Sequence, residues 1–574
     1  MHLTRTRILE GLLLAVCAAA LLKAGYELGR VLLLEAQGAI ESDAHLYFTV
    51  GRGMLNGLTP YVDLFESKPP GMFLLAMLSL LLTNGEWLAL ALQLLVFLAI
   101  PMLLGWYGWQ QGKNLMMPFR MIATSVAALL GILLTLFLEE RAGGVQTESF
   151  AVFALFVYLL FLLRFGEELP WNRIALLALP LLSAIGLKEP FLLSALAAAM
   201  LVISTPRQFL RGFVLPLLFA GAIGLVLLLL LGFVRPYLEI YVPSMLHGRV
   251  DHNPLEPLWI KSMMIGRVRG NITVYATAPI LGYVLILLWL LLPAFKRMRT
   301  SLRDLGVTAL TLFASYHVVL LGALFLMRRN AGLLNLQLQP GFVPVNGVVY
   351  VLLLLMLGGL FYLQWRRQLL PDTLTAIIAL LLTSLAIGIS IYAINHFAFG
   401  VPAYLALALI FIRYAVSFPR PTIVTTGIVV FILVTALFYR PSERHLQLLR
   451  ERMGYTAAEN RAYAHRVDAL LDNCRIDRYA SFGTFQRLAF ARHSPLGPLF
   501  QPQFFEYLGL DHLLYKQTFD RLVNDAKIVI VYKGSWFKDI SPDKLAPLFT
   551  ADPPPCAKEF LPLAETTVLF RKKE

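Results

Sequence analysis

Residues 213–233 run for 21 positions without a charged side chain. A stretch of that length and apolarity matches the hydrocarbon core of a bilayer. Similar stretches recur about thirteen times, near 8–33, 86–109, 118–138, 149–164, 173–187, 190–204, 213–233, 271–294, 305–327, 342–364, 374–393, 398–416 and 421–439. With 58% of its 574 residues hydrophobic, the chain reads as mainly α and polytopic in a membrane. The expected layout is a domain over 1–439 with about 13 transmembrane helices, followed by a small extracytoplasmic α/β domain over 440–574. Several spans fall short of the usual ~20 residues, which implies tilted or partly inserted helices. Residues 72–83 are too short to cross and read as interfacial or re-entrant. The first apolar run is too long for a signal-peptide core and has no small-residue cleavage site, so it reads as a retained span.

The short loops carrying Arg5 and Arg7, Lys113 and Arg120, Arg164 and Arg173, Arg207 and Arg211, Lys296 to Arg303, Arg366 and Arg367, and Arg413 and Arg420 fall on one side if 72–83 does not cross. By the positive-inside rule that side, with the N-terminus, is cytoplasmic. The net charge of +14 therefore points to loop asymmetry and to a lipid bilayer as partner, not to nucleic acid. No Walker A or glycine-rich nucleotide loop is present, so a nucleotide is not expected as direct donor. No Ser/His/Asp or zinc spacing is present either.

The first long break in the apolar pattern is 41–71. It holds four carboxylates (Glu41, Asp43, Asp63, Glu66), two cations (Arg52, Lys68) and two tyrosines (Tyr47, Tyr61). Such a cluster beside a bilayer is costly unless it is solvated or binds something. Asp43 to Leu55 has helical spacing, Asn56-Gly57 and Thr59-Pro60 end it, and Lys68-Pro69-Pro70-Gly71 fixes an extended turn that aims the lysine. Asp43 is placed to take a proton from an acceptor hydroxyl, and Lys68 to neutralise a phosphate leaving group. A solvated loop is the bland alternative.

Other breaks carry chemistry less sharply. Glu148 follows Glu139 and Glu140 and opens a span, where a helix N-terminus favours a carboxylate; a polar turn explains the same residues. Lys188, in Gly186-Leu187-Lys188-Glu189-Pro190, sits at an outer membrane edge suited to a lipid phosphate, although a neutralised pair with Glu189 would also account for it. Loop 234–269 holds Tyr237, Tyr241, His247, Arg249 and His252, and fits an amphipathic surface loop; His-x4-His alone is a weak metal signal. Arg328 and Arg329 read as interfacial snorkelling, and His396 as a helix-end cap.

The tail mixes a polar helical stretch at 442–472, strand patterns at 478–482, 527–532 and 566–571, and helical pattern at 511–525, which gives a small α/β unit. Cys474 and Cys556 are its only cysteines. They either bridge or stand as independent thiols, since nothing in the sequence fixes their distance.

The pattern Asp43-x3-Tyr47-x4-Arg52-x-Met54-Leu55, followed by Glu66-x-Lys68-Pro69-Pro70, resembles the first outer loop of GT-C-fold glycosyltransferases that use lipid-linked sugars. The nearest likenesses are the protein mannosyltransferases, the aminoarabinose transferases of lipid A and family-39-like bacterial enzymes. Motifs carry the resemblance over 1–200, and hydropathy rhythm alone over 234–416. Ala44 stands where many relatives carry a second acid, Leu46 where the aminoarabinose enzymes carry arginine, and Phe397 where a tyrosine follows the late histidine. The resemblance implies that Asp43 is the catalytic carboxylate and Glu148 a second one. It implies that Lys68 and Lys188 hold the donor phosphate, with His247 and Arg249 against it. Tyr47, Arg52, Tyr61, Asp63, Glu66 and His396 would line the substrates. The implied donor substrate is a polyprenyl-phosphate-linked sugar, with no cofactor firmly implied and no metal ligands. The acceptor is a hydroxyl of a glycan, lipid or protein, transfer inverts the anomeric centre, and the setting is a bacterial inner membrane with the tail in the periplasm or outside the cell.

A transporter or flippase for a lipid-linked or acidic substrate is the alternative. It predicts charges near the midplane of several spans, whereas 342–364 and 374–393 contain no Asp, Glu, Lys or Arg. No internal repeat is visible, which also weighs against transporters built from related halves.

Overall fold

The structure, a computed structural model, describes residues 2–37, 42–165, 169–203, 206–245, 398–417, 423–441, 446–447, 449–450, 457–482, 485–500, 508, 512–532 and 545–572. The expected spans near 271–294, 305–327, 342–364 and 374–393 lie outside these residues, as do Glu41, His247, Arg249, His252, Arg328, Arg329 and His396.

The helices are α1 (His2–Glu35), α2 (Ser42–Leu55), α3 (Gly71–Thr83), α4 (Trp87–Gln111), α5 (Met117–Ala142), α6 (Thr147–Phe165), α7 (Trp171–Leu187), α8 (Phe191–Val202), α9 (Leu215–Leu230), α10 (Val401–Ser417) and α11 (Ile423–Phe438), with α12 (Ala457–Asn473) and α13 (Leu513–Asn524) in the tail. Among the described residues five segments are long and apolar enough to cross a membrane: Ile8–Glu35, Trp87–Asn114, Met117–Glu140, Thr147–Phe165 and Arg207–Leu230. α7 and α8 are apolar but shorter, at 17 and 12 residues. The chain is thus a mainly helical, membrane-compatible bundle with a small C-terminal sheet.

α4 and α5 run antiparallel at close range because small residues face each other. A Cβ on Gly131 would meet Pro101 Cα at 2.5 Å, and one on Gly108 would meet Ala127 Cβ at 2.8 Å. Such small-residue seams let helix backbones approach where no hydrophobic effect drives helices together. Alternation of direction brings the end of α1, the start of α4, the end of α5, the start of α6, the end of α7 and the start of α8 to one end of the bundle.

α2 and α3 lie on that end, side by side and in the same direction. Asp43 at the start of α2 faces Lys68 just ahead of α3. A Cβ on Gly51 would meet Met77 N at 2.7 Å, and Arg52 Nη2 donates to Asn84 Oδ1 at 3.3 Å. α3 has 13 residues, about 20 Å at the α-helical rise, and both its ends are held at the same end of the bundle.

The tail folds as a five-stranded sheet in the order β2-β1-β3-β5-β4. Its strands are β1 (Arg478–Phe482), β2 (Ser494–Pro495), β3 (Ile528–Tyr532), β4 (Phe549–Thr550) and β5 (Thr566–Arg571). β1 is parallel to β2 and β3, while β5 is antiparallel to β3 and β4. The continuous apolar run of β3 reflects a central strand: Ile528 through Val531 are all buried. α12 buries Ala464, Val467, Leu470 and Leu471 at helical spacing. Cys474 and Cys556 are joined by a disulfide with Cα atoms 5.3 Å apart.

The tail docks on α2 and the 56–70 segment. Asn56 Nδ2 donates to Arg492 O at 2.7 Å and to Ser494 Oγ at 2.9 Å. Phe65 N donates to Pro498 O at 2.8 Å. Arg521 reaches Asp63 at 3.4 Å, and Phe48 packs on Phe490 at 5.5 Å between ring centroids. One apolar core therefore runs from Tyr47, Tyr61 and Phe73 into the tail.

Candidate active site

Four chain breaks meet at this end of the bundle, and each supplies a charge. Asp43 lies in the first turn of α2, where the exposed N–H groups and the helix dipole favour a carboxylate. Its side chain is 36% exposed, so it can meet a substrate from outside. Lys68 Nζ lies 3.8 Å from Asp43 Oδ2 and 3.5 Å from Glu66 Oε1. Glu148 opens α6 and accepts from Thr147 Oγ1 at 2.7 Å. Its other oxygen is paired with the ammonium of Lys188, which caps the C-terminus of α7. Lys188 also lies over the Phe399 ring, 5.3 Å from its centroid.

The Lys68 turn is fixed from behind by Tyr61, whose hydroxyl donates to Lys68 O at 2.8 Å. Tyr61 is fully buried and has φ +70°, a left-handed backbone that is uncommon for an aromatic residue and persists only where neighbours impose it. The neighbours are Phe65, Phe73, Tyr237 and Tyr241, the last at 4.8 Å between centroids. Tyr241 and Tyr237 in turn donate to Glu189, at 2.5 Å and 3.3 Å.

The charges act on one another. Burial alone would lower the Lys68 ammonium, but Glu66, Asp43 and Glu148 outweigh it and hold Lys68 above the ordinary lysine value. Burial lowers Lys188, Glu148 opposes, and Lys68 adds to the lowering, so Lys188 sits below its ordinary value. Burial raises Glu66, and Lys68 offsets that only in part. The Tyr47 phenol, fully buried one turn beyond Asp43, is pushed well up by burial and then by Asp43, Glu148 and Glu66, and so remains a neutral donor. Among the described residues Glu66 Oε2 is buried with no hydrogen-bond partner, and the buried Tyr47 Oη has the Thr147 hydroxyl as a polar neighbour. Buried polar atoms in that condition call for an explanation.

Below the cluster lies an apolar cavity of about 1050 Å³. It starts at Pro69, Pro70 and Gly71 and is walled by α3, α4, α6, α7 and α9; Ser183, Glu189 and Tyr237 are the polar side chains in its lining.

Asp43, Tyr47, Glu66, Lys68, Glu148 and Lys188 are thus brought together, with Tyr61 supporting them. Arg52 and Asp63 are not part of the group. Arg52 is nine positions beyond Asp43, about two and a half helical turns, which puts it on the opposite face of α2. There it bonds Asn84. Asp63 accepts from Thr59 N at 3.0 Å and pairs with Arg521 of the tail. Arg52 thus ties α2 to the end of α3, and Asp63 ties the 56–70 segment to the tail. Glu139 is buried apart from Lys68, beside Gly143 and Glu35.

Two buried residues that sequence reasoning passed over, Glu35 and Gln93, lie directly behind Glu148. Their signal was present: Gln93 is the single amide side chain in an otherwise apolar stretch of α4. Among the described residues no group of three or more His, Cys, Asp or Glu is placed to hold a metal ion. Comparison with protein-family models and with curated proteins returned no match.

Proposed function

We propose that the chain is a GT-C-type membrane glycosyltransferase that moves a sugar from a polyprenyl-phosphate carrier to an acceptor hydroxyl of a glycan, lipid or protein at the outer face of a bacterial inner membrane. The observation that carries the reading is the meeting of Asp43, Lys68, Glu148 and Lys188 at the mouth of an apolar cavity. A lipid phosphate needs cations at a membrane edge and an apolar bed behind them, and the turn from Lys68 to Gly71 touches both.

In this reading the half-exposed Asp43 accepts the proton of the acceptor hydroxyl. The oxygen attacks the anomeric carbon as the bond from that carbon to the phosphate oxygen breaks, its electron pair leaving on the phosphate. Lys68 and Lys188 stabilise the charge that develops there. Lys188 does so by exchanging its Glu148 partner for the phosphate. Attack opposite the leaving group inverts the configuration. The Tyr47 hydroxyl and Glu66 Oε2 supply one donor and one acceptor for sugar hydroxyls.

The test is deletion of the gene followed by mass comparison of extracted lipids, glycans and glycoproteins. Loss of one sugar increment from one class, restored by the wild-type chain and not by Asp43→Asn, is the expected result. Unchanged masses in all three classes would overturn the reading.

A further inference from the structure

We propose that Gln93 and Glu35 are positioning residues that hold the turn at 143–149, and through it Glu148, against Lys188. The consequence for catalysis rests on the function proposed above; the clamp itself does not.

Gln93 is fully buried within α4, and Glu35 is fully buried at the end of α1. A buried amide and a buried carboxylate are expensive in membrane-compatible helices and mark functional positions by default. Here both ends of the amide are used. Gln93 Nε2 donates to the Glu35 carboxylate at 3.2 Å and 3.4 Å. Gln93 Oε1 accepts from Gln146 N at 3.1 Å and from Ser149 Oγ at 3.2 Å. Glu35 Oε1 accepts from Gly144 N at 2.8 Å. Two helices that do not carry Lys188 thus grip the segment that carries Glu148 at three points.

The segment needs holding. Gly144 has φ +72° and Val145 φ +65°. A left-handed backbone is free for glycine but is an outlier for a β-branched residue, and it lasts only where the surroundings impose it. The grip also admits nothing larger at Gly143, where a Cβ would lie 2.3 Å from Glu35 Oε1. Beyond the turn, the single proton of Ser149 Oγ is shared between Gln93 Oε1 and Gln146 O, the latter at 2.8 Å, and Thr147 Oγ1 donates to Glu148. The path from Gln93 to the Glu148–Lys188 pair is therefore continuous in hydrogen bonds and one turn of backbone. Polar side chains between membrane helices also serve as simple glue. Glue would act on stability alone, whereas a positioning role acts on the Lys188 site and depends on Glu148.

The experiment uses the full chain in detergent with two readouts. Hydrogen–deuterium exchange follows the peptide covering 143–149, and binding of a sugar-free polyprenyl phosphate follows the Lys188 site. Gln93→Met is expected to raise exchange at 143–149 while leaving peptides of α12 unchanged. It should weaken lipid-phosphate binding roughly threefold to tenfold, the scale of one or two hydrogen bonds. In a Glu148→Gln background the same substitution should change binding no further. Glu35→Met, which removes the acceptor of Gly144 N–H and of Gln93 Nε2, should raise exchange at 143–149 as Gln93→Met does. Unchanged exchange at 143–149 in Gln93→Met would overturn the clamp. Raised exchange with binding losses that multiply across the Gln93 and Glu148 variants would reduce Gln93 to glue and overturn the positioning role. A wild-type chain that binds no polyprenyl phosphate would sink the proposed function, and the exchange at 143–149 would still decide the clamp.

Discussion

Gly71 and Gly186 meet backbone to backbone: a Cβ on Gly71 would lie 2.5 Å from the carbonyl oxygen of Gly186. The contact ties the start of α3 to the end of α7, with Lys68 three residues before one glycine and Lys188 two residues after the other. Gly71→Ala is expected to push the two breaks apart, at a cost of about 1–3 kcal/mol for an overpacked contact. Thermal unfolding in detergent should show a lowered midpoint, and polyprenyl-phosphate binding should weaken with it. An alanine variant with wild-type midpoint and affinity would show that the contact spaces nothing.

Asp43→Asn should leave the fold and the Lys68 turn intact, because the amide is nearly isosteric and Asp43 is partly exposed. Transfer should fall at least ~100-fold, the lower range for loss of a general base. Near-wild-type turnover by a homogeneous preparation of the variant would remove Asp43 from its role.

The two lysines should part company as pH rises. A lysine holds a phosphate only while protonated, so binding weakens as pH climbs through its pKa. Lys188 lies below the ordinary lysine value and Lys68 above it. The alkaline limb of polyprenyl-phosphate binding should therefore fall below ~10.4, the unperturbed lysine value, and belong to Lys188. Lys188→Arg should move that limb upward, since arginine stays protonated. A limb that stays in place in the arginine variant would assign it to another group.

The disulfide yields a test of the tail. Its cysteines are 82 positions apart, and a loop of that size is expected to stabilise the tail by about 2–4 kcal/mol. Alkylation of the denatured, unreduced chain should leave Cys474 and Cys556 unmodified and mark Cys17. Cys474→Ser should make the tail the first part to unfold, read by exchange in β3. Adducts on both tail cysteines before reduction would contradict the bridge.

Much of the site was legible because charge in an apolar chain is conspicuous. Asp43, Lys68, Glu148 and Lys188 each interrupt a hydrophobic run, and the structure gathers all four. Proximity in sequence did not translate into proximity in space for every residue. Arg52 and Asp63 share the 41–71 stretch with Asp43, yet helix periodicity turns Arg52 to Asn84 at the end of α3 and Asp63 pairs with Arg521 of the tail; only the 100° step per residue along α2 hinted at the first. Gln93 and Glu35 were missed for the opposite reason. One amide inside a long apolar window reads as filler, and a carboxylate at a span end reads as an ordinary boundary. Their meaning depends on three helices converging, which no local pattern encodes. The strands of the tail were legible in β1, β3 and β5, which are five or six residues long. β2 and β4, of two residues each, are set by their neighbours alone.

The docking of the tail has a consequence for how the protein is made. Asn56 finds its partner Arg492 436 positions later, and Asp63 finds Arg521 458 positions later. At ribosomal speeds of about 5–20 residues per second, roughly 20–90 s separate the emergence of the two sides. Throughout that interval Phe490 is not yet there to meet the Phe48 ring, nor Pro498 O to accept from Phe65 N. The segment that covers the outer side of α2 and 56–70 thus arrives long after the residues of the Asp43–Lys68 and Glu148–Lys188 pairs, to which it contributes no charge, and a nascent chain stalled before Arg492 would carry both pairs without that cover.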